Sequence, residues 1–205
     1  MKFDLDKTKT GLIIVDMQND FVRQGGAMRV VETIPTIEPI NRLKAFAREN
    51  GMPVFFTRFL TGPKRTFLWN WSPQSGELKN CRRGLKKYYP DIDKEELCAD
   101  VIDELKPVLE KDFIIDKYNY SAFRNTNLHD AMLSVGLDTL IVTGTVTQIC
   151  VETTVMDGYA NQIQMVVASD CVSSFSEELH KATLDNIAMK FGVVMTSEEI
   201  IKALS

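Results

Sequence analysis

Cys150 stands where an apolar run, Thr139-Leu-Ile-Val-Thr-Gly-Thr-Val-Thr147, gives way to Gln-Ile-Cys-Val-Glu-Thr-Thr, a segment with helical spacing. With Thr147 as N-cap, Cys150 falls at N3. There, unpaired backbone N–H groups and the positive end of the helix dipole favour a thiolate and draw the thiol pKa toward working pH. Most free cysteines are small buried hydrophobes, so the address alone does not make a nucleophile. A base and a charge partner must reach the same place. Asp16, in Val15-Asp-Met-Gln-Asn-Asp-Phe21, and Lys117, in Ile115-Asp-Lys-Tyr-Asn-Tyr-Ser-Ala-Phe123, each end another apolar run. Singly, Asp16 could stabilise a turn and Lys117 could be a surface cation. Together they supply a carboxylate to accept a thiol proton, a cation to steady charge, and a thiol to attack, which is triad logic without histidine. His129 and His180 fall in predicted helices and read as surface residues, which disfavours a Cys and His pairing.

The elements that must position these groups are legible as alternation. Apolar runs recur at Gly11–Asp16, Pro53–Arg58, Asp112–Asp116, Thr139–Thr143, Ile163–Ala168 and Gly192–Met195. Most are continuously apolar, the mark of strands covered on both faces in a parallel sheet. Helical spacing occupies Thr36–Asn50, Asp93–Leu109, Asn127–Val135, Gln148–Asn161, Glu177–Phe191 and Ser197–Leu204, with Gly51 and Gly136 as stops. Alternating strands and helices predict an α/β fold: a three-layer α/β/α sandwich on a six-stranded, mostly parallel sheet, Rossmann-like in its crossovers. In such a sheet ligands bind beyond the carboxyl ends of the strands, where Asp16, Lys117 and Cys150 fall.

The segment 59–92 breaks the rhythm and reads as an insertion. It carries Trp69, Trp71, Tyr88 and Tyr89, and its basic residues Lys64, Arg65, Lys79, Arg82, Arg83, Lys86 and Lys87 meet only Glu77 as an acid among residues 59–90. A loop this long is expected to be a lid, a subunit contact or a solvated surface loop. The 205 residues fit a single domain, 1–205, and 44 % hydrophobic with 25 % charged residues is ordinary for a globular protein. No apolar run approaches about 18 residues and the N-terminal stretch lacks a signal-peptide core, so a cytoplasmic location and no membrane partner are expected. A net charge of −4 argues against nucleic acid. Four cysteines without a C-x-x-C pair and two distant histidines give no ligand-like spacing, so neither a metal nor another cofactor is expected. The thiols are expected to be free.

At these residues the chain resembles the isochorismatase-like hydrolases, or cysteine hydrolases, a family that includes nicotinamidases, N-carbamoylsarcosine amidases, ureidoacrylate amidohydrolases and biuret hydrolases. The matching pieces are Asp16-Met-Gln-Asn-Asp-Phe21, Lys117-Tyr-Asn-Tyr-Ser-Ala-Phe123, and Gly144-Thr-Val-Thr-Gln-Ile-Cys-Val-Glu-Thr-Thr154 followed by Asp157-Gly, in order from about residue 10 to 200. The resemblance implies the isochorismatase-like hydrolase fold, with Asp16 as general base, Lys117 as its cationic neighbour and Cys150 as nucleophile. It implies a cis peptide between Thr145 and Val146 that turns the Val146 N–H toward the substrate carbonyl, forming an oxyanion hole with the Cys150 N–H. Phe21 should line the pocket, with Tyr120 and Gln148 as its neighbours.

The departures narrow the expectation. Nicotinamidases carry an Asp and His metal cluster after the second strand, whereas Thr57-Arg-Phe-Leu-Thr-Gly-Pro63 contains neither. The isochorismatases proper lack the nucleophilic Cys that this chain retains. Tyr120-Ser-Ala-Phe123 with Asn125-Thr126, and Cys150-Val-Glu-Thr-Thr with Asp157-Gly, look most like the N-carbamoylsarcosine amidase, ureidoacrylate amidohydrolase and biuret hydrolase branch. The resemblance therefore implies a metal-independent cysteine amidohydrolase that cleaves a small carbamoyl, ureido or amide C–N bond through a thioester and releases ammonia. Vinyl ether hydrolysis, a nicotinamidase-like activity, and a non-catalytic binding protein on the same fold remain alternatives. The expected partners are a small-molecule amide or ureido substrate, with an anionic one as a secondary expectation, and further copies of the chain in a homo-oligomer, dimer or tetramer.

Overall fold

Thr10–Val15 (β1) has every residue buried, as an unbroken aliphatic run must when both faces of its sheet are covered. The computed structural model describes residues 3–62 and 80–205. Within it the other strands are Val54–Phe59 (β2), Lys86–Tyr89 (β3), Lys94–Leu97 (β4), Phe113–Lys117 (β5), Thr139–Thr145 (β6), Gln164–Ser173 (β7) and Val193–Met195 (β8). Six of them form one sheet in the order β5-β2-β1-β6-β7-β8, and every pairing is parallel. From β1 the chain builds outward through β2 to β5, then crosses back and builds through β6 and β7 to β8. The switch point lies between β1 and β6, where crossovers leaving in opposite directions open a crevice at the carboxyl ends.

Helices cover both faces. Alternate residues of β1 enter different cores: Leu12 and Ile14 pack with Phe56, Ile40, Leu43, Ile200 and Leu204, and Ile13 and Val15 with Phe55, Val142, Met132 and Val155. The first layer holds Ile37–Glu49 (α2) and Ser197–Leu204 (α6). The second holds Leu128–Ser134 (α3) and Glu152–Ala160 (α4), with Glu177–Asn186 (α5) packed beside them. A short helix, Asn19–Val22 (α1), follows β1 directly. Three layers thus fix the carboxyl ends of the six parallel strands along one edge of the sheet, which is what a site assembled from distant motifs requires.

The predicted helix at Asp93–Leu109 is replaced by a hairpin. Lys94–Leu97 pairs antiparallel with Lys86–Tyr89, setting Glu96 opposite Lys87 and Leu97 opposite Lys86. A short 3-10 turn, Asp103–Leu105, follows. The run Asp-Lys-Glu-Glu-Leu has the composition of a helix, but Asp93 turns the chain at φ 50° and the run pairs through its backbone with Lys86–Tyr89. Residues 63–79 of the insertion, including Trp69, Trp71, Lys64, Arg65, Glu77 and Lys79, lie outside the described residues. No helix among the described residues is long and apolar enough to cross a membrane.

Candidate active site

Asp16 occupies the residue after β1 at φ 50°, left-handed backbone that Asp tolerates better than most residues. Its carboxylate is fully buried. The Thr57 hydroxyl on β2 donates to Asp16 Oδ1 at 2.6 Å and accepts the Asp16 backbone N–H at 3.0 Å. Oδ2 faces Lys117, the last residue of β5, whose Nζ lies 2.7 Å away. The Lys117 ammonium also donates to the carbonyls of Asn119 (3.1 Å) and Tyr120 (2.9 Å) and sits 5.2 Å from the centre of the Phe59 ring. Lys117 has no solvent exposure. Burial works against its charge, but the Asp16 carboxylate and the Cys150 sulfur beside it more than offset that and hold its pKa above the ordinary lysine value.

The third strand end delivers the sulfur. Gly144 on β6 adopts φ 101° against β1, and a Cβ there would lie 2.0 Å from the Val15 carbonyl oxygen. Only glycine lets β6 approach the backbone that carries Asp16 so closely. The peptide between Thr145 and Val146 is cis. A π-helical turn, Thr147–Val151, follows and runs into α4. Its N-cap is Val146 rather than Thr147, and no side chain caps it, so Cys150 does not occupy N3 of an α-helix as the sequence suggested. The Thr147 hydroxyl is instead 2.9 Å from His180 Nδ1, which brings His180, expected at the surface, into contact with this turn. His129 packs edge-on to Phe123.

Cys150 is 3 % exposed, and its thiol contacts both Asp16 and Lys117. Its pKa is raised, not lowered: burial dominates, and Asp16 reinforces it against the opposing Lys117 charge. A fully desolvated thiol loses more from burial than a single helix terminus returns. The resting arrangement is a neutral thiol beside a carboxylate and ammonium pair, with no net charge.

A small apolar cavity of about 10 Å³ opens on Cys150, walled by Phe21, Met28, Phe59, Tyr120, Val146 and Ile149. It is barely large enough for one water. Phe21, Met28, Val146 and Ile149 also line a wider vestibule of about 400 Å³, completed by Ala27, Arg29, Val30, Asn80 and Phe175. Phe21 and Tyr120 therefore reach the cavity. Gln148 lines neither space, and its side-chain amide is buried without a hydrogen-bond partner among the described residues. A larger cleft of about 480 Å³, between Tyr159, Gln164 and Phe191, lies at the amino end of β7, the wrong end of the sheet for this chemistry. Among the described residues no group of three His, Cys, Asp or Glu is placed to hold a metal.

Sequence reasoning did not single out Thr57 or the carbonyls of Asn119 and Tyr120. A threonine within the apolar run Val54-Phe-Phe-Thr57 was a usable signal for the first. Backbone carbonyls give none.

The family model of the Isochorismatase domain matches residues 10–199. The chain is 34 % identical to the ureidoacrylate amidohydrolase RutB of Methylobacterium radiotolerans, over 93 % of this chain and 77 % of that protein. It is 27 % identical to a probable isochorismatase of Pseudomonas chlororaphis, over 98 % and 88 % respectively. Its fold matches a cysteine hydrolase from Pseudomonas syringae pv. phaseolicola with a TM-score of 0.86 and 28 % identity, covering 98 % of this chain and 94 % of the other. A parallel sheet with its switch point between β1 and β6, and a domain match across nearly its whole length, make this chain a member of the isochorismatase family of hydrolases.

Proposed function

We propose that the protein is a metal-independent cysteine amidohydrolase, with Cys150 as nucleophile, Asp16 as general base and acid, and Lys117 as the cation that keeps Asp16 in place. The observation that carries this reading is the buried contact of these three groups at the ends of three different strands. Removing the thiol proton to solvent would leave a net negative charge in a desolvated site. Passing it to Asp16 gives thiolate, neutral acid and ammonium, and conserves the net charge. A thiol held protonated at rest suits a base that acts as the substrate arrives.

In the proposed cycle, Asp16 takes the Cys150 proton and sulfur attacks the carbonyl carbon of a small amide or ureide. The Val146 and Cys150 N–H groups receive the oxyanion, each worth about 3 kcal/mol in the transition state. The tetrahedral adduct collapses, the C–N bond breaks, and Asp16 returns its proton to the departing ammonia. Asp16 then draws a proton from water, whose oxygen attacks the thioester. Sulfur leaves as thiolate and recovers its proton from Asp16, and the product is a carboxylic or carbamic acid.

Arg29 is the charged side chain lining an otherwise mostly apolar vestibule, which favours a substrate with an anionic end, as a ureidoacrylate has. The similarity to a ureidoacrylate amidohydrolase supports the same substrate class. The test is ammonia release from ureidoacrylate, N-carbamoyl amino acids, biuret and nicotinamide by wild type and Cys150→Ala, with and without EDTA. Turnover that survives Cys150→Ala would sink the thioester route in favour of acid-catalysed vinyl ether chemistry. Loss of turnover with EDTA would sink the metal-independent reading.

A further inference from the structure

Between the catalytic Asp16 of the proposed cycle and the pocket residue Phe21 lies Gln18-Asn19-Asp20, three polar side chains buried where the chemistry has no use for them. Gln18 and Asp20 reach residues of the insertion, and Asn19 reaches the strand that follows it. Gln18 Nε2 donates to the Phe59 and Ala99 carbonyls (2.9 and 2.7 Å), and its Oε1 accepts the Phe59 N–H (2.8 Å). Asn19 Nδ2 donates to the Leu97 carbonyl at 3.0 Å. Asp20 is the hub. Its fully buried carboxylate receives Lys87 Nζ at 2.8 Å on both oxygens, the Tyr89 hydroxyl on Oδ1 (2.9 Å) and the Cys81 N–H on Oδ2 (2.7 Å). Lys87, one of the basic residues of the insertion, is the counterion of a buried acid.

The consequence lies at the vestibule. Phe21, next to Asp20 in the chain, forms one of its walls, and Asn80, next to Cys81, lines it from the insertion. The Asn80 carbonyl is in turn held by the Thr61 hydroxyl at 2.5 Å. One carboxylate thus spans the two walls, through its own backbone to Phe21 and through the Cys81 N–H to Asn80. We infer that Asp20 is a positioning residue that fixes the width of the substrate vestibule, acting on substrate capture rather than on bond cleavage. The inference rests on the reading that this vestibule feeds Cys150.

Asp20→Asn keeps the shape, removes the charge, and sets an amide donor against three donors. In the full chain, acting on the substrate that wild type hydrolyses best, it should raise KM at least about tenfold and leave kcat within about threefold, since Asp16, Lys117 and Cys150 keep their own contacts. Tyr89→Phe deletes one hydroxyl from the same carboxylate and should move KM the same way, by about threefold. A second readout needs no turnover: modification of Cys150 at pH 9 by N-phenylmaleimide relative to iodoacetamide, followed on the Cys150 peptide by mass. The bulky reagent needs the walls apart, so Asp20→Asn should raise that ratio about tenfold. A lower melting temperature with KM and the reagent ratio both unchanged would make Asp20 merely structural and overturn the inference. If wild type releases no ammonia from any substrate, the amidase reading falls while the reagent ratio still decides the role of Asp20.

Discussion

Replacing Lys117 by Met removes a cation with no solvent exposure and leaves Asp16 Oδ2 without the ammonium that faces it at 2.7 Å. Breaking a buried ion pair from one side costs about 3–5 kcal/mol, because the remaining charge is stranded. The Asn119 and Tyr120 carbonyls also lose a donor, at about 1 kcal/mol each. Lys117→Met should therefore lose about 5–7 kcal/mol at pH 7 in urea unfolding. Asp16→Asn/Lys117→Met, in which neither charge remains, should be more stable at pH 7 than Lys117→Met by about 2 kcal/mol. A loss below about 1 kcal/mol, or a double variant no more stable than Lys117→Met, would refute the picture of a stranded carboxylate.

Three further outcomes test other parts of the site. Gly144→Ala drives a Cβ into the Val15 carbonyl at φ 101° and should cost about 3 kcal/mol or more in thermal unfolding while reducing ammonia release at least about tenfold, because the displaced strand carries Asp16. Burial raises the Cys150 pKa in the fold, so its contribution to stability is complete below the unfolded thiol value of ~8.5 and is lost as pH rises beyond it, by up to about 1.4 kcal/mol per unit. Cys150→Ala should accordingly flatten the decline of stability between about pH 8.5 and 10, and equal slopes for the two proteins would contradict the raised value. Arg29→Met should raise KM for a carboxylate-bearing ureide about tenfold or more and leave that for an uncharged amide within about twofold; equal effects on both would remove Arg29 from substrate selection.

The raised thiol value also changes what an alkylation result means. An inert thiol near pH 7 does not by itself mark a binding protein rather than an enzyme. A thiol buried beside a carboxylate is slow to alkylate in either case, so ammonia release and Cys150→Ala carry the distinction.

Strand ends were legible because continuous apolar runs admit few alternatives; Asp16 and Lys117 each stand at the end of one, and Cys150 lies in the turn after a third. The helices flanking the sheet were readable from their spacing and glycine stops. The hairpin at Lys86–Leu97 was not, since Lys and Glu suit an exposed helix and an exposed ladder alike, and the pairing partner decides. Nor was the role of Lys87, whose partner Asp20 is 67 residues away in sequence.

Residue types alone thus supplied an acid, a cation and a thiol, and the alternation of elements set all three at one edge of a parallel sheet. Tertiary structure decided their states. Distances of 2.6 and 2.7 Å around Asp16, the neutral form of Cys150 and the bond from Asp20 to Cys81 all depend on which groups lose water together and which charges then face each other. Desolvation and charge pairing belong to the packed arrangement of strands β1, β2, β5 and β6, and no local stretch of sequence encodes them.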